Sequence, residues 1–224
     1  ALSFASGWHA DDFVLAPENF AERHRIFRER IDLIRRLWRG ETIQRRNGNG
    51  DEVEVRLSPR PAQSELPFWI TAAGNPETYR LAGEMGAGLL TNLLGQTFAE
   101  LAKKIALYRE AWRKAGHKPG GSQVALMMHT FVGRSPDAVR ETVRRPFLEY
   151  LKNSTDLIKR ARWEFPAFKP NANGDDRVAN GDEPVGAELD ALVAYAFERY
   201  FTTSGLFGTP QGCLEKIDQL ASIG

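Results

Sequence analysis

Short unbroken apolar runs alternate along this chain with longer stretches in which apolar side chains return every three or four residues. The runs are LSF at 2–4, LPFWITAAG from Leu66, AGLLTNLLG from Ala87 and QVALMMHTFVG from Gln123. Such continuous apolar writing marks strands covered on both faces in a parallel sheet. Between them, PENFAERHRIFRERIDLIRRLWRGE sets Phe20, Phe27, Ile31, Ile34 and Trp38 at helical spacing, with Pro17 near the start and Gly40 at the stop, which predicts an amphipathic helix. NPETYRLAGEMG predicts a second helix capped by Asn75, with Pro76 at its first position and Gly86 at its exit. TFAELAKKIALYREAWRKAG predicts a third, with Phe98, Leu101, Ile105, Tyr108 and Trp112 on one face. SPDAVRETVRRPFLEYLKNS predicts a fourth, in which Pro146 either kinks the helix or begins a new one. Two more helices are expected near the carboxyl end, the last capped by Thr209 before Pro210.

Two segments depart from this rhythm. Around 42–58, Val53, Val55 and Leu57 alternate after Asn-Gly-Asn-Gly, predicting a solvent-facing hairpin inserted in the main fold. From about 166 to 185 the chain turns to Pro, Asn, Gly and Asp, a composition expected to form a mobile loop. Repeated strand–helix units point to parallel α/β architecture. A doubly wound sheet and a (β/α)8 barrel both begin this way, and a barrel takes about 250 residues. With the first strand cut short and another expected just after Gly224, the chain reads as an interior segment of one larger domain, the alternative being a complete small α/β domain.

Composition narrows the chemistry. Thirty basic and 29 acidic side chains leave a formal charge of +1, so no global field draws the chain to nucleic acid or anionic lipid. Cys213 is the one cysteine, which excludes an internal disulfide and a cysteine zinc site and suggests simple packing in a cytoplasmic protein. No apolar run approaches the ~20 residues that span a bilayer.

In parallel α/β folds ligands gather at the carboxyl ends of strands. Here those positions hold Ser6, Gly7, Trp8 and His9; Ala73, Gly74, Asn75 and Thr78; Thr91 and Asn92; His129 and Thr130. AAGNPET offers small residues and free helix-start amides to an anion. Equally, Asn75 caps its own helix and Glu77 complements the dipole, and the motif alone leaves the two readings even. Trp8 beside Gly7 offers a floor for a flat ring, or rim packing. His9 and His129 are either cleft residues or hydrogen-bonded loop histidines. Asp11 and Asp12, being adjacent, read as solvated loop residues, and the basic face of 23–46 as solvated, with Arg23 kept as a phosphate partner. Glycine-rich nucleotide loops, HExxH and GxSxG are absent.

Taken together, SFASGWHADDFVLAPENFAER, LWRGE, RNGNGDEVEVRLSPRP, LPFWITAAGNPETYRLAGEMGAGLLTNLLGQ and GLFGTPQGCLEKIDQL resemble the bacterial luciferase-like flavin monooxygenases, in the branch serving natural-product biosynthesis. The resemblance implies a (β/α)8 TIM barrel of which this chain carries about strands 4–7, reduced FMN as cofactor, and O2 as co-substrate. It also implies a separate flavin reductase, a small-molecule or carrier-tethered substrate, and a homodimer among the assemblies open to relatives. By the same resemblance Gly7 and Trp8 neighbour the flavin ring and Arg23 contacts the phosphate. Ala73, Gly74, Asn75 and Thr78 form the phosphate turn, His9, Asn92 and His129 face the substrate, and the loop near 166–185 closes over the flavin. The catalytic base is unknown, because the family's first strands are not in this segment. Two rivals stand beside this reading: an F420-dependent oxidoreductase on the same barrel, and a non-catalytic barrel fragment serving as a scaffold.

Overall fold

A computed structural model describes residues 1–7, 10–93, 95–152 and 186–223. The loop expected near 166–185 lies outside the described residues, as do Trp8 and His9. The described chain divides into two compact units: Ala1–Ala72, Glu77–Leu90 and Tyr108–Ala125 in the first, and Ala73–Pro76, Thr91–Leu107 and Leu126–Gly224 in the second.

A four-stranded sheet, most of its residues in the first unit, consists of β1 (Leu2–Phe4), β4 (Phe68–Thr71), β5 (Gly88–Asn92) and β6 (Val124–Met127), hydrogen-bonded side by side in that order. β1 pairs with β4 and β4 with β5, both parallel. Strand order follows chain order without the reversal that defines a doubly wound sheet, so among the described strands the sheet runs as a barrel wall does. Ile70 and Leu89 are fully buried at its centre. β2 (Ile43–Arg46) and β3 (Glu52–Val55) form a separate antiparallel hairpin, with Ile43 opposite Val55.

Three helices belong wholly or in part to this unit. α1 (Arg23–Trp38) buries Ile31 and ties down through Arg28–Glu84, 2.8 Å, and Arg39–Glu65, 2.9 Å. The sequence predicts that this helix starts near Pro17. Instead Pro17–Asn19 make a tight 3-10 turn, and α1 begins six residues later at Arg23. The Phe20 carbonyl there accepts a bond from the Arg23 guanidinium, and no side chain caps the helix at Glu22. α2 (Pro76–Met85) and α3 (Phe98–Lys114) approach closely because Gly83 leaves room. A Cβ there would stand 2.2 Å from the Tyr108 carbonyl and 2.8 Å from the Trp112 amide. The buried Tyr108 hydroxyl donates to the carbonyls of Ala87 and Gln123, at 2.9 and 3.2 Å, and burial pushes its pKa up to about 12.

In the second unit α4 (Pro136–Lys152) sets Val139, Val143, Phe147 and Leu151 one turn apart. They pack on Leu192, Val193, Ala196 and Phe197 of α5 (Ala187–Arg199) and on Tyr200 and Phe201 of the π-helical turn that follows. α4 is one helix through Pro146, so the second helix allowed for there does not form. β7 (Thr130–Val132) pairs in parallel with β8 (Leu206–Gly208). The apolar run from Gln123 predicts one strand, but it breaks at Met128–His129, where the His129 carbonyl accepts from the Leu206 amide at 2.8 Å. α6 (Pro210–Ser222) starts on Thr209, whose hydroxyl accepts from the Gly212 amide at 3.2 Å, and it buries Cys213.

Candidate functional site

Parallel pairing decides where chemistry can gather. Phe4 lies opposite Ile70 in the register of β1 and β4, so Ala5–Gly7 and Ala72 leave the sheet at one edge, the carboxyl edge. Ser3 and Thr71 join hydroxyls across these strands at 3.2 Å.

Gly7 turns the chain with φ +72°, a conformation that favours glycine. It also makes room for Phe13, since a Cβ at this position would meet that ring at 2.6 Å. Phe13 packs edge-on to Phe20, centroids 5.3 Å apart, and the Arg23 guanidinium lies over Phe20 at 4.5 Å. A ladder of two rings therefore joins Gly7 to Arg23. Arg23 donates from Nη1 to the Phe20 carbonyl at 2.8 Å, while its Nε is buried with no hydrogen-bond partner among the described residues. A buried N–H on a cation left unpaired costs about 1–3 kcal/mol or more, and an anion is one group that would relieve it; Arg35 Nε is unpaired in the same way.

After β4, Ala72 is buried and Ala73–Asn75 turn into α2, whose first residue is Pro76. Gly74 and Asn75 are exposed and Thr78 is half-buried. No described residue lies within 4 Å of a Cβ built on Gly74, so among the described residues there is space beside this turn. Glu77, in the first turn of α2, pairs with Arg80 at 2.5 Å, which offsets part of its charge. An open corner beside the positive end of a ten-residue helix fits an anion.

At the end of β5, Thr91 is buried and Asn92 half-buried. The connection to α3 carries Gln96, 5% exposed. At the break between β6 and β7, the half-buried His129 ring stands among Phe147, Tyr150 and Tyr200, with centroids 5.1, 4.8 and 6.1 Å away. Burial holds its imidazole below the usual histidine range, because the cation would lose its hydration. With the folded pKa depressed, the unfolded chain takes up the proton first as pH falls, so stability present above about 6.5 is lost in acid. His129→Gln is expected to flatten the decline of Tm as pH falls below ~6.5, measured by thermal unfolding at a series of acidic pH values. Equal slopes in variant and wild type would show that the ring does not titrate in this way.

The family model for luciferase-like monooxygenases matches residues 1–224, the whole length. The chain belongs to the luciferase-like monooxygenase family. Solved structures similar to it share the luciferase-like barrel fold. The oxygenating constituent of 3,6-diketocamphane monooxygenase from Pseudomonas putida, in complex with FMN, is 20% identical with a TM-score of 0.63, covering 99% of this chain and 60% of that one. An F420-dependent secondary alcohol dehydrogenase with an F420–acetone adduct is 17% identical with a TM-score of 0.59, over 99% and 60%. Among curated proteins, an F420-dependent hydroxymycolic acid dehydrogenase of Mycobacterium tuberculosis is 30% identical over 122 residues, 54% of this chain and 32% of that protein. The chain thus spans about a third of this curated relative and 60% of these two solved structures.

For this luciferase-like chain, sequence reasoning named Gly7 and Arg23 separately and missed the Phe13–Phe20 ladder between them. Both phenylalanines were visible, but two rings seven positions apart in an irregular segment carry no periodic signal. Gln96 was missed as well, although the capping box Thr97-x-x-Glu100 beside it was legible.

Proposed function

We propose that the protein carrying this chain is a flavin-dependent monooxygenase that uses reduced FMN and O2 on an intermediate of natural-product assembly, free or carrier-tethered, with a separate reductase supplying the reduced flavin. The observation that carries this reading is the open corner at Gly74 on the amino end of α2, where backbone amides and helix polarity suit a phosphate. The buried, unpaired Nε of Arg23 supports an anionic cofactor independently. When bound, reduced FMN would supply the electrons with which O2 is activated and one oxygen atom delivered to the substrate. Within the proposal, Gly74, Asn75 and Thr78 hold the phosphate, Ala73 keeps the backbone accessible, and Gly7 with Trp8 borders the ring. His9, Asn92 and His129 border the substrate, and His129 stays neutral near pH 7 because its surroundings are apolar.

A second reading, an F420-dependent oxidoreductase that moves hydride without O2, is favoured by the curated mycobacterial relative and the alcohol dehydrogenase structure. F420 also carries a phosphate, so the same corner serves either cofactor. The test is ligand identification on the whole protein. Binding of FMN, with O2 consumption when a reductase supplies FMNH2, supports the first reading. Binding of F420 with no flavin-dependent O2 uptake selects the second, and binding of neither removes both and leaves the scaffold. Arg23→Met is expected to weaken FMN at least about tenfold while leaving riboflavin, which lacks the phosphate, nearly unchanged. Equal losses for the two ligands would take Arg23 out of phosphate binding.

A further inference from the structure

The connection from β5 to α3 contains a polar strut that no functional assignment covers. Gln96, 5% exposed, donates from Nε2 to the Asn92 carbonyl and accepts at Oε1 from Lys104 Nζ at 2.8 Å. Its orientation is chemically forced: a carbonyl can only accept and an ammonium can only donate, so the reversed amide would set donor against donor and acceptor against acceptor. Lys104 stands on the second turn of α3. The start of that helix is itself pinned by the Thr97–Glu100 capping box, in which the Glu100 carboxylate accepts from the Thr97 amide at 2.7 Å. The last residue of β5 is thus braced from α3 through one buried amide, at the carboxyl edge where this fold places its ligands. A buried amide aligned by a buried-side cation costs desolvation and brings no hydrophobic gain. An apolar residue would pack a plain helix–strand connection as well, so the strut needs a reason beyond packing.

We infer that Gln96 and Lys104 are positioning residues of the cofactor pocket, holding the β5 exit at Asn92 as a fixed wall on the side where substrate meets the flavin. The inference rests on the proposed flavin function and deepens it.

The test uses the whole protein with oxidised FMN as probe, reading its dissociation constant and the visible circular dichroism of the bound ring, together with amide hydrogen exchange in residues 92–97 without FMN. Q96E keeps the contact to Lys104 but sets an acceptor against the Asn92 carbonyl. K104M removes the orienting cation at similar bulk, and K104R retains donation. Expected for Q96E and K104M are exchange at least about tenfold faster in 92–97, an altered ring spectrum and FMN affinity within about threefold of wild type, the phosphate grip being elsewhere. K104R should retain the wild-type spectrum. Superimposable spectra and unchanged exchange in Q96E and K104M would overturn the inference, as would a K104R spectrum as altered as that of K104M, since packing and not donation would then be responsible. If Q96E does not fold, K104M against K104R decides alone. Wild-type protein that binds no FMN defeats the functional reading itself, an outcome separate from a wild type that binds while its variants match it.

Discussion

Gly74→Asp in the whole protein is expected to weaken FMN binding by about 2–3 kcal/mol, roughly 30- to 150-fold. No described residue lies within 4 Å of a Cβ at this position, so the first atom of the new side chain meets no described neighbour and little loss of stability is expected. The loss comes from a carboxylate placed where the proposed phosphate sits. Two charges about 4 Å apart interact with about 4 kcal/mol at an effective dielectric near 20, and exposure of the turn trims that figure through solvent and salt. Gly74→Asn, with the same shape and no charge, separates repulsion from crowding and is expected to lose several-fold less. Isothermal titration or flavin fluorescence measures both. Equal losses for Asp and Asn would make the site steric, and no loss for either would remove the turn from phosphate binding.

Gly83→Ala is expected to give the largest loss of stability. Intrinsic helix propensity alone favours this change by about 1 kcal/mol, so propensity and packing predict opposite signs. Packing should win. The methyl would lie 2.2 Å from the Tyr108 carbonyl oxygen and 2.8 Å from both the Trp112 amide and the Ala111 methyl. Two of these three neighbours are backbone atoms of α3 and cannot rotate aside. Overpacking of this kind costs about 3 kcal/mol or more, for a net loss near 2 kcal/mol and a fall in Tm of roughly 4–8 °C. Thermal unfolding of variant and wild type settles the sign, and an unchanged or raised Tm would mean that α2 and α3 separate easily.

The same contrast shows what was legible in the sequence. Strand and helix positions were readable wherever one period runs unbroken, as in FWIT feeding α2 or the Val139–Leu151 stripe of α4. The turn from β4 into α2 was readable because Gly-Asn-Pro at a strand exit marks a helix start, while the motif alone left phosphate binding and plain capping even. Features set by individual side-chain bonds or by chain packed against them, near or far in sequence, were not readable. The break at His129 follows from the bond between its carbonyl and the Leu206 amide, 77 residues on, and β8 is three residues long, too short for a periodic signal. The delayed start of α1 follows from Arg23 turning back to the Phe20 carbonyl, a competition invisible to propensity. Gly83 looks like a weak helix residue until the backbone of α3 lies against it. Gln96 looks like a loop glutamine until its two bonding partners are seen.

The account rests on a phosphate grip at the carboxyl edge of a luciferase-like sheet, and the paired affinities of the whole protein for FMN and riboflavin test it most directly. FMN is expected to bind at least about 100-fold more tightly, a phosphate contribution near 3 kcal/mol, with the advantage much reduced in Gly74→Asp. Equal affinity for the two flavins, or an FMN preference untouched by that substitution, would contradict it.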